Sequence, residues 1–290
     1  MNFQEIRVYA EGCLRDTPPP CSCVCPFSID IRGLAEQVLN GRYERAFRAY
    51  RDAVLFPGIV SKLCAAPCGE VCVRAKIFDG KVDLPAIERG IVERASKTEP
   101  VRYAVPRKKE RIAVVGGGMS GLACTLRLAS KGYALTLYEA AEKVGGRVLG
   151  LLGQDVTEAD VNRAFRYIDY ELRLGEEISL AAFDAVCAEN DAVYVATGAG
   201  GAAFGLLEGR DDRTSSTLRA GVFLGGSLTG TDPAGSIENG IRAASAAEEY
   251  LKTGRGGGLG PLFDKAAVDG RFYDLTYRFE TPAAGSAAGS

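Results

Sequence analysis

Apolar residues recur at helical spacing in IDIRGLAEQVL (29–39) and YERAFRAYRDAVL (43–55), with Asn40-Gly41 between them. This predicts two helices and a turn. LPAIERGIVERA, from Leu84, predicts a third helix. The pattern then changes. KTEPVRYAVPRKKE (97–110) carries two prolines and a charge cluster and predicts a linker over 100–110. Beyond it, RIAVVGGG, SGLACTLRLASKG and ALTLYE predict strand, glycine turn, helix and strand, the start of a nucleotide-binding unit. The expected organisation is a helical module over 1–99, an α/β Rossmann-like domain over 111–254, and an extension over 255–290. The end of that extension, TPAAGSAAGS, is small and polar enough to predict disorder.

The cysteines follow the same division. Of nine in the chain, those at 13, 21, 23, 25, 64, 68 and 72 fall in the helical module, and only Cys124 and Cys187 lie beyond, in apolar helical contexts that predict core positions. Three thiols in CSCVCP (21–26) are too closely spaced to be core filler, and an odd total points to metal or redox groups rather than a disulfide framework. The chain has no histidine, which removes imidazole acid/base chemistry, His-activated nucleophiles and His-dependent zinc sites. A zinc–thiolate site is disfavoured by the Cx3C spacing, and a helical stripe of 64, 68 and 72 by Pro67.

Composition narrows the partners. At 290 residues, 47% hydrophobic and 25% charged, the chain can bury a sizeable core. A formal charge of -2 gives no basic footprint for nucleic acid. No apolar run is long enough to predict a membrane span, and the first residues lack the basic head and apolar stretch of a secretory signal, so a cytoplasmic location is expected.

The glycines carry the most specific signal. Gly116, Gly118 and Gly121 form GxGxxG directly after a strand: the first allows the tight turn, the second lets a pyrophosphate approach the backbone, and the third lets helix pack on strand. The following helix N-terminus suits phosphate. Glu139 closes the second strand, where a carboxylate can bond the ribose hydroxyls of an unphosphorylated adenosine.

Further motifs carry two resemblances. Gly145-Gly146-Arg147, AVYVATGAG (192–200) and GVFLGGSLTGTDPAGSIENGIRAASAAEEYL (221–251) resemble the flavoprotein disulfide-reductase superfamily, which binds FAD. The resemblance implies a cofactor site of Gly116, Gly118, Met119, Ser120, Gly121, Glu139, Ala140, Gly146, Arg147, Thr197, Gly198, Gly226, Ser227, Ser236, Ile237 and Gly240. It also implies a helix starting near Ser236, with its positive end toward the isoalloxazine. Where the superfamily usually has Asp after the glycine turn, this chain has Ser227, which can hydrogen-bond but brings no charge.

The module at 1–99 resembles the N-terminal iron–sulfur domain shared by the glutamate synthase small subunit and dihydropyrimidine dehydrogenase. The matching residues are Cys13, Cys21, Cys25-Pro26, FPGIVSKLCAAPCGEVC (56–72) and VDLPAIERG (82–90). The resemblance implies two 4Fe-4S clusters, one held by Cys13, Cys21 and Cys72, the other by Cys25, Cys64, Cys68 and the carboxylate of Glu88. The fourth ligand of the first falls to Asp16 or Cys23; Asp16 is preferred, since 21, 23 and 25 together would strain one cube.

In that family a second nucleotide domain, which delivers hydride from NADPH, is inserted between the strands resembling VYVATG and GVFLGG. Here residues 199–220 alone separate them, whereas a βαβ unit needs about 30 residues and a domain about 50. The expected function is an electron-transfer subunit relaying electrons between FAD, two clusters and other redox subunits, ferredoxin-like or catalytic, of a hetero-oligomeric complex. The alternatives are an assembly subunit without flavin function and a port at which NAD(H) meets an exposed flavin.

Overall fold

The computed structural model describes residues 19–77 and 80–254. Cys13, Asp16 and the expected disordered end of the chain lie outside the described residues. The helical half comprises α1 (Pro20–Val24), α2 (Ile31–Leu39), α3 (Tyr43–Val54), α4 (Pro57–Leu63), α5 (Val73–Ile77) and α6 (Leu84–Arg94). Local chemistry sets the boundaries: Asp30 caps α2 by accepting the Gly33 amide at 2.9 Å, and Asp83 caps α6 by accepting that of Ala86 at 3.0 Å. Ala46, Phe47, Tyr50 and Val54 form the buried stripe of α3. Residues 64, 68 and 72 share no helix. α4 stops at Leu63, Ala66 is left-handed, and Pro67–Gly69 forms one 3₁₀ turn before α5.

After a stretch without regular structure through Glu110 come β1 (Arg111–Val115), α7 (Met119–Ala129), β2 (Ala134–Glu139), α8 (Val148–Leu152), α9 (Gln154–Ala164), β3 (Glu171–Leu174), α10 (Leu180–Glu189), β4 (Ala192–Val195), β5 (Val222–Leu224) and α11 (Pro233–Thr253). The strands form one parallel sheet in the order β3-β2-β1-β4-β5, with β1 paired to β2 from Arg111–Ala134 to Val115–Tyr138. Alternation along β1 sorts its side chains. Ile112 and Val114 join the core that contains α7 and α11, and Ala113 and Val115 join that of α10, where Phe183 stacks on Phe204 at 4.1 Å.

Two glycines let α7 come close to its neighbours. A Cβ on Gly121 would stand 1.9 Å from the Gly116 carbonyl oxygen, and one on Gly240 2.1 Å from that of Ser120. α11 begins at Pro233 rather than near Ser236, because Asp232 supplies the cap by accepting the Gly235 amide at 2.6 Å and Pro233 fits the first helical position.

Composition changes near residue 100, yet the apolar core runs on across that point. Phe47, Tyr50, Phe56 and Ile59 share one cluster with Met119, Leu122 and Ile237. Phe56 stacks on Phe165 at 6.5 Å between centroids, and α4 packs on both α9 and α11. No described helix is long and apolar enough to cross a membrane.

Candidate functional site

A cleft of about 310 Å³ opens at the carboxyl ends of β1, β2 and β4, the position a doubly wound sheet offers a ligand. Gly116 takes φ +110° at the end of β1, and a Cβ there would stand 2.3 Å from the Ala196 carbonyl oxygen. Gly118 differs: its φ is −68°, which any residue adopts, and an added Cβ would meet no protein atom within 4 Å. Its lack of a side chain therefore leaves open the space in front of α7, whose N-terminus no side chain caps. A second glycine turn lies against the first. The Gly145 amide donates to the Gly117 carbonyl at 2.8 Å, and a Cβ on Gly146 would be 3.2 Å from the Gly118 Cα.

Glu139 is fixed at the end of β2 by both carboxylate oxygens. Oε2 accepts the Gly117 amide at 2.6 Å and Oε1 the Ala141 amide at 2.8 Å, which leaves lone pairs on each for hydroxyl donors. Met119, Ser120, Ala140, Arg147, Thr197, Gly198, Ser227 and Ser236 also line the cleft. The Thr197 hydroxyl is spent on the Ala202 carbonyl at 2.9 Å, and that of Ser236 meets Thr231 at 3.0 Å. Four expected residues lie beneath the lining instead. Gly121 and Gly240 serve the contacts of α7, Ile237 is fully buried, and a Cβ on Gly226 would press on Ser120 at 2.7 Å.

The thiols gather on the helical side. Cys21 and Cys23 lie within α1 and Cys25 ends it; two residues apart on a helix, Cys21 and Cys23 face opposite ways. No disulfide joins the described cysteines. Burial pushes the Cys68 thiol up to about 12, and the negative charges of Cys25, Glu88, Cys64 and Cys21 push the same way. Cys64 is raised by burial and by Glu88, Cys25 and Asp232, while its sulfur accepts the Ala66 amide at 3.4 Å. Burial raises Glu88 to about 7, although Tyr50 donates a hydrogen bond to its Oε2 at 3.2 Å. Burial raises Cys21 to about 11, and the charge of Cys72 pushes the same way.

The donors form one continuous patch: Cys25, Cys64, Cys68 and Glu88 act on one another, Cys21 acts on Cys68 and is acted on by Cys72, and α1 packs on the 3₁₀ turn that carries Cys68. Buried anionic donors that repel one another suit a positively charged group. Among the described residues no three converge on a single ion; a four-iron cube takes one ligand per corner and holds its ligands further apart. Cys124 is fully buried in α7, where burial pushes its thiol up, and Cys187 is half-buried on α10.

The two regions meet at α11. It packs on α4, whose C-cap is Cys64, the charge of its own cap Asp232 raises the Cys64 thiol, and Pro233 and Ser236 of its first turn line the cleft. Thr-Asp-Pro ahead of the helix was the sequence signal for this cap. Asp160 had no such signal. It reaches from α9 to accept the Ile59 amide in α4 at 3.0 Å. A larger open groove of about 1240 Å³ between residues 100–108 and the β2–β3 side of the sheet contains none of the expected site residues.

Residues 1–100 match the family model of dihydropyrimidine dehydrogenase domain II, 4Fe-4S cluster, and residues 114–154 match that of an NAD(P)-binding Rossmann-like domain. Fold and matches together define the class: a 4Fe-4S domain followed by a Rossmann-like dinucleotide-binding domain. The chain is 30% identical over 218 residues to NADPH-Fe(3+) oxidoreductase subunit beta of Geobacter sulfurreducens (strain DL-1 / KN400), covering 70% of this chain and 31% of that one. It is 28% identical over 199 residues to the glutamate synthase [NADPH] small chain of Bacillus subtilis (strain 168), covering 65% and 40%. The solved structure of histamine dehydrogenase from Rhizobium sp. 4-9 aligns at 21% identity and TM-score 0.31, over 57% of this chain and 24% of that one. The chain is thus a homologue of glutamate synthase small chains and of the NADPH-Fe(3+) oxidoreductase beta subunit, and spans well under half of either.

Proposed function

We propose that the chain is an electron-transfer subunit that binds FAD in the cleft and two 4Fe-4S clusters on its helical side. The observation that carries this reading is the meeting of the two regions at α11, which lines the cleft with Pro233 and Ser236 and packs on α4, the helix that Cys64 caps. Bound flavin exchanges electrons in ones and twos and a cluster exchanges them singly, so adjacent sites suit a relay between two-electron and one-electron partners.

The chain's own residues divide the work. Gly116 and Gly118 with the start of α7 receive the pyrophosphate, Glu139 holds the adenosine ribose, and Ser227 and the first turn of α11 border the opposite end. Cys25, Cys64, Cys68 and Glu88 hold the cluster nearer the cleft, while Cys21 and Cys72, with Cys13 and Asp16, hold the other. Part of the segment 199–220 packs on the domain, although most of its residues are exposed. Phe204 stacks on Phe183, Leu206 is buried, and Leu224 donates its amide to Ser215 at 2.8 Å. That packing supports delivery of electrons by a partner redox subunit rather than by a nicotinamide domain at that point.

The test is composition after anaerobic purification of the full chain. Flavin bands in the visible spectrum with iron and acid-labile sulfide of about eight each per chain are expected. A chain without flavin supports the assembly alternative, and zinc in place of iron overturns the cluster assignment.

A further inference from the structure

Tyr50 sits on α3 with no exposed surface, and its hydroxyl donates to Glu88 Oε2 on α6 at 3.2 Å. A buried phenol needs an acceptor, and a backbone carbonyl would serve packing equally well. This one is aimed at a half-buried carboxylate among thiols: the charges of Glu88, Cys64 and Cys25 all act on the same hydroxyl. α6 packs on both α3 and α4, so donor, carboxylate and the Cys64 end of α4 belong to one rigid cluster of helices. The other carboxylate oxygen, Oε1, accepts no hydrogen bond among the described residues.

We infer that Tyr50 is a positioning residue for Glu88, holding Oε2 so that Oε1 alone faces iron, and that its hydrogen bond raises the reduction potential of that cluster. The inference rests on Glu88 being a cluster ligand, as proposed above. The sign follows from charge. Reduction adds negative charge to cluster and ligands, and a donor on a ligand oxygen stabilises that charge while drawing electron density away from iron. Tyr50→Phe keeps the ring that fills the core and removes only the donor.

The experiment is an anaerobic redox titration of the full chain followed by low-temperature electron paramagnetic resonance, on wild type, Tyr50→Phe and Glu88→Cys. Tyr50→Phe is expected to retain its iron and to shift one cluster wave to lower potential, the other staying in place. A tenfold change in the reduced-to-oxidised ratio would appear as about 59 mV for one electron. Glu88→Cys is expected to change the resonance of that same wave. Unchanged potentials in Tyr50→Phe alongside an altered Glu88→Cys spectrum overturn the role of Tyr50 and leave the ligand reading intact. Unchanged iron content and spectra in Glu88→Cys remove the ligand reading itself. Iron lost from Tyr50→Phe while the iron-free forms of variant and wild type melt alike supports positioning; iron lost together with a lowered melting temperature of the iron-free variant overturns it.

Discussion

Asp160, buried in α9 of the nucleotide-binding half, accepts the backbone amide of Ile59 at 3.0 Å and so caps α4, the helix that ends at Cys64. α4 has no side-chain cap of its own: Phe56 stands at that position and offers only its backbone carbonyl. The carboxylate also lies 3.5 Å from Arg163. Asp160→Ala should destabilise the chain by about 1–3 kcal/mol through loss of a buried hydrogen bond to a carboxylate, the Ile59 amide keeping its second acceptor, the Phe56 carbonyl at 3.1 Å; this is seen as a lower urea midpoint. Asp160→Asn, which keeps an acceptor, should lose less.

The same carboxylate makes a pH prediction. Burial raises its pKa above the unfolded value of 3.8, outweighing the amide bonds and Arg163. A raised folded pKa means that the contribution is fully present below the unfolded value and is lost as pH rises through the folded one. As pH rises from below 3.8 through the raised folded value, wild type should therefore lose stability relative to Asp160→Asn. Parallel stability curves for the two proteins would contradict this.

At the cleft, three substitutions should separate folding from binding. Gly118→Val puts a branched side chain into empty space, so the apo chain should melt as wild type does while flavin is lost. Gly116→Ala forces a Cβ against the Ala196 carbonyl at φ +110° and should lower the melting temperature itself. Glu139→Gln should do some of each, because its amide nitrogen cannot accept from Gly117 or Ala141; about 1–3 kcal/mol is expected for the orphaned backbone donor. Full flavin content in Gly118→Val would place the cofactor elsewhere.

Iron content should discriminate among the clustered thiols. Cys68→Ala removes a donor from the Cys25, Cys64 and Glu88 group and should release about half of the iron, whereas Cys23→Ala, on the face of α1 opposite Cys21, should release none. Equal losses from both would make Cys23 the ligand in place of Asp16.

Much of this was legible in the sequence because it rests on local rules. The helices at Ile31, Tyr43 and Leu84 follow from periodicity and caps, and β1, α7 and β2 from an apolar run broken by obligatory glycines. Gly118 and Glu139 fall in the cleft because GxGxxG and the strand-ending acid are themselves local devices. The relationships that join the halves were not legible. The Asp160–Ile59 bond spans 101 residues and the Tyr50–Glu88 bond 38, and no composition or spacing encodes such pairings. The packing across the division read near residue 100 was likewise not legible: Phe56 and Ile59 join one core with residues of the second half. Ile237 and Gly240 belong to the same motif as Ser236, yet rotation along α11 turns them to the floor while Ser236 faces the cleft, and Gly226, in the turn after β5, presses on Ser120 instead.

The account stands on electrons passing between the cleft and the thiol sites, and the direct measurement is pulsed reduction of the flavin in the isolated, anaerobic chain, followed by flavin absorbance and rapid-freeze electron paramagnetic resonance. NADH and NADPH should leave the flavin oxidised and dithionite should bleach it. After a pulse of photochemical reductant, flavin absorbance should recover as a reduced-cluster signal grows by the same number of electrons. A flavin that stays reduced beside an oxidised cluster of sufficient potential, or one that NADH reduces rapidly, would contradict the relay.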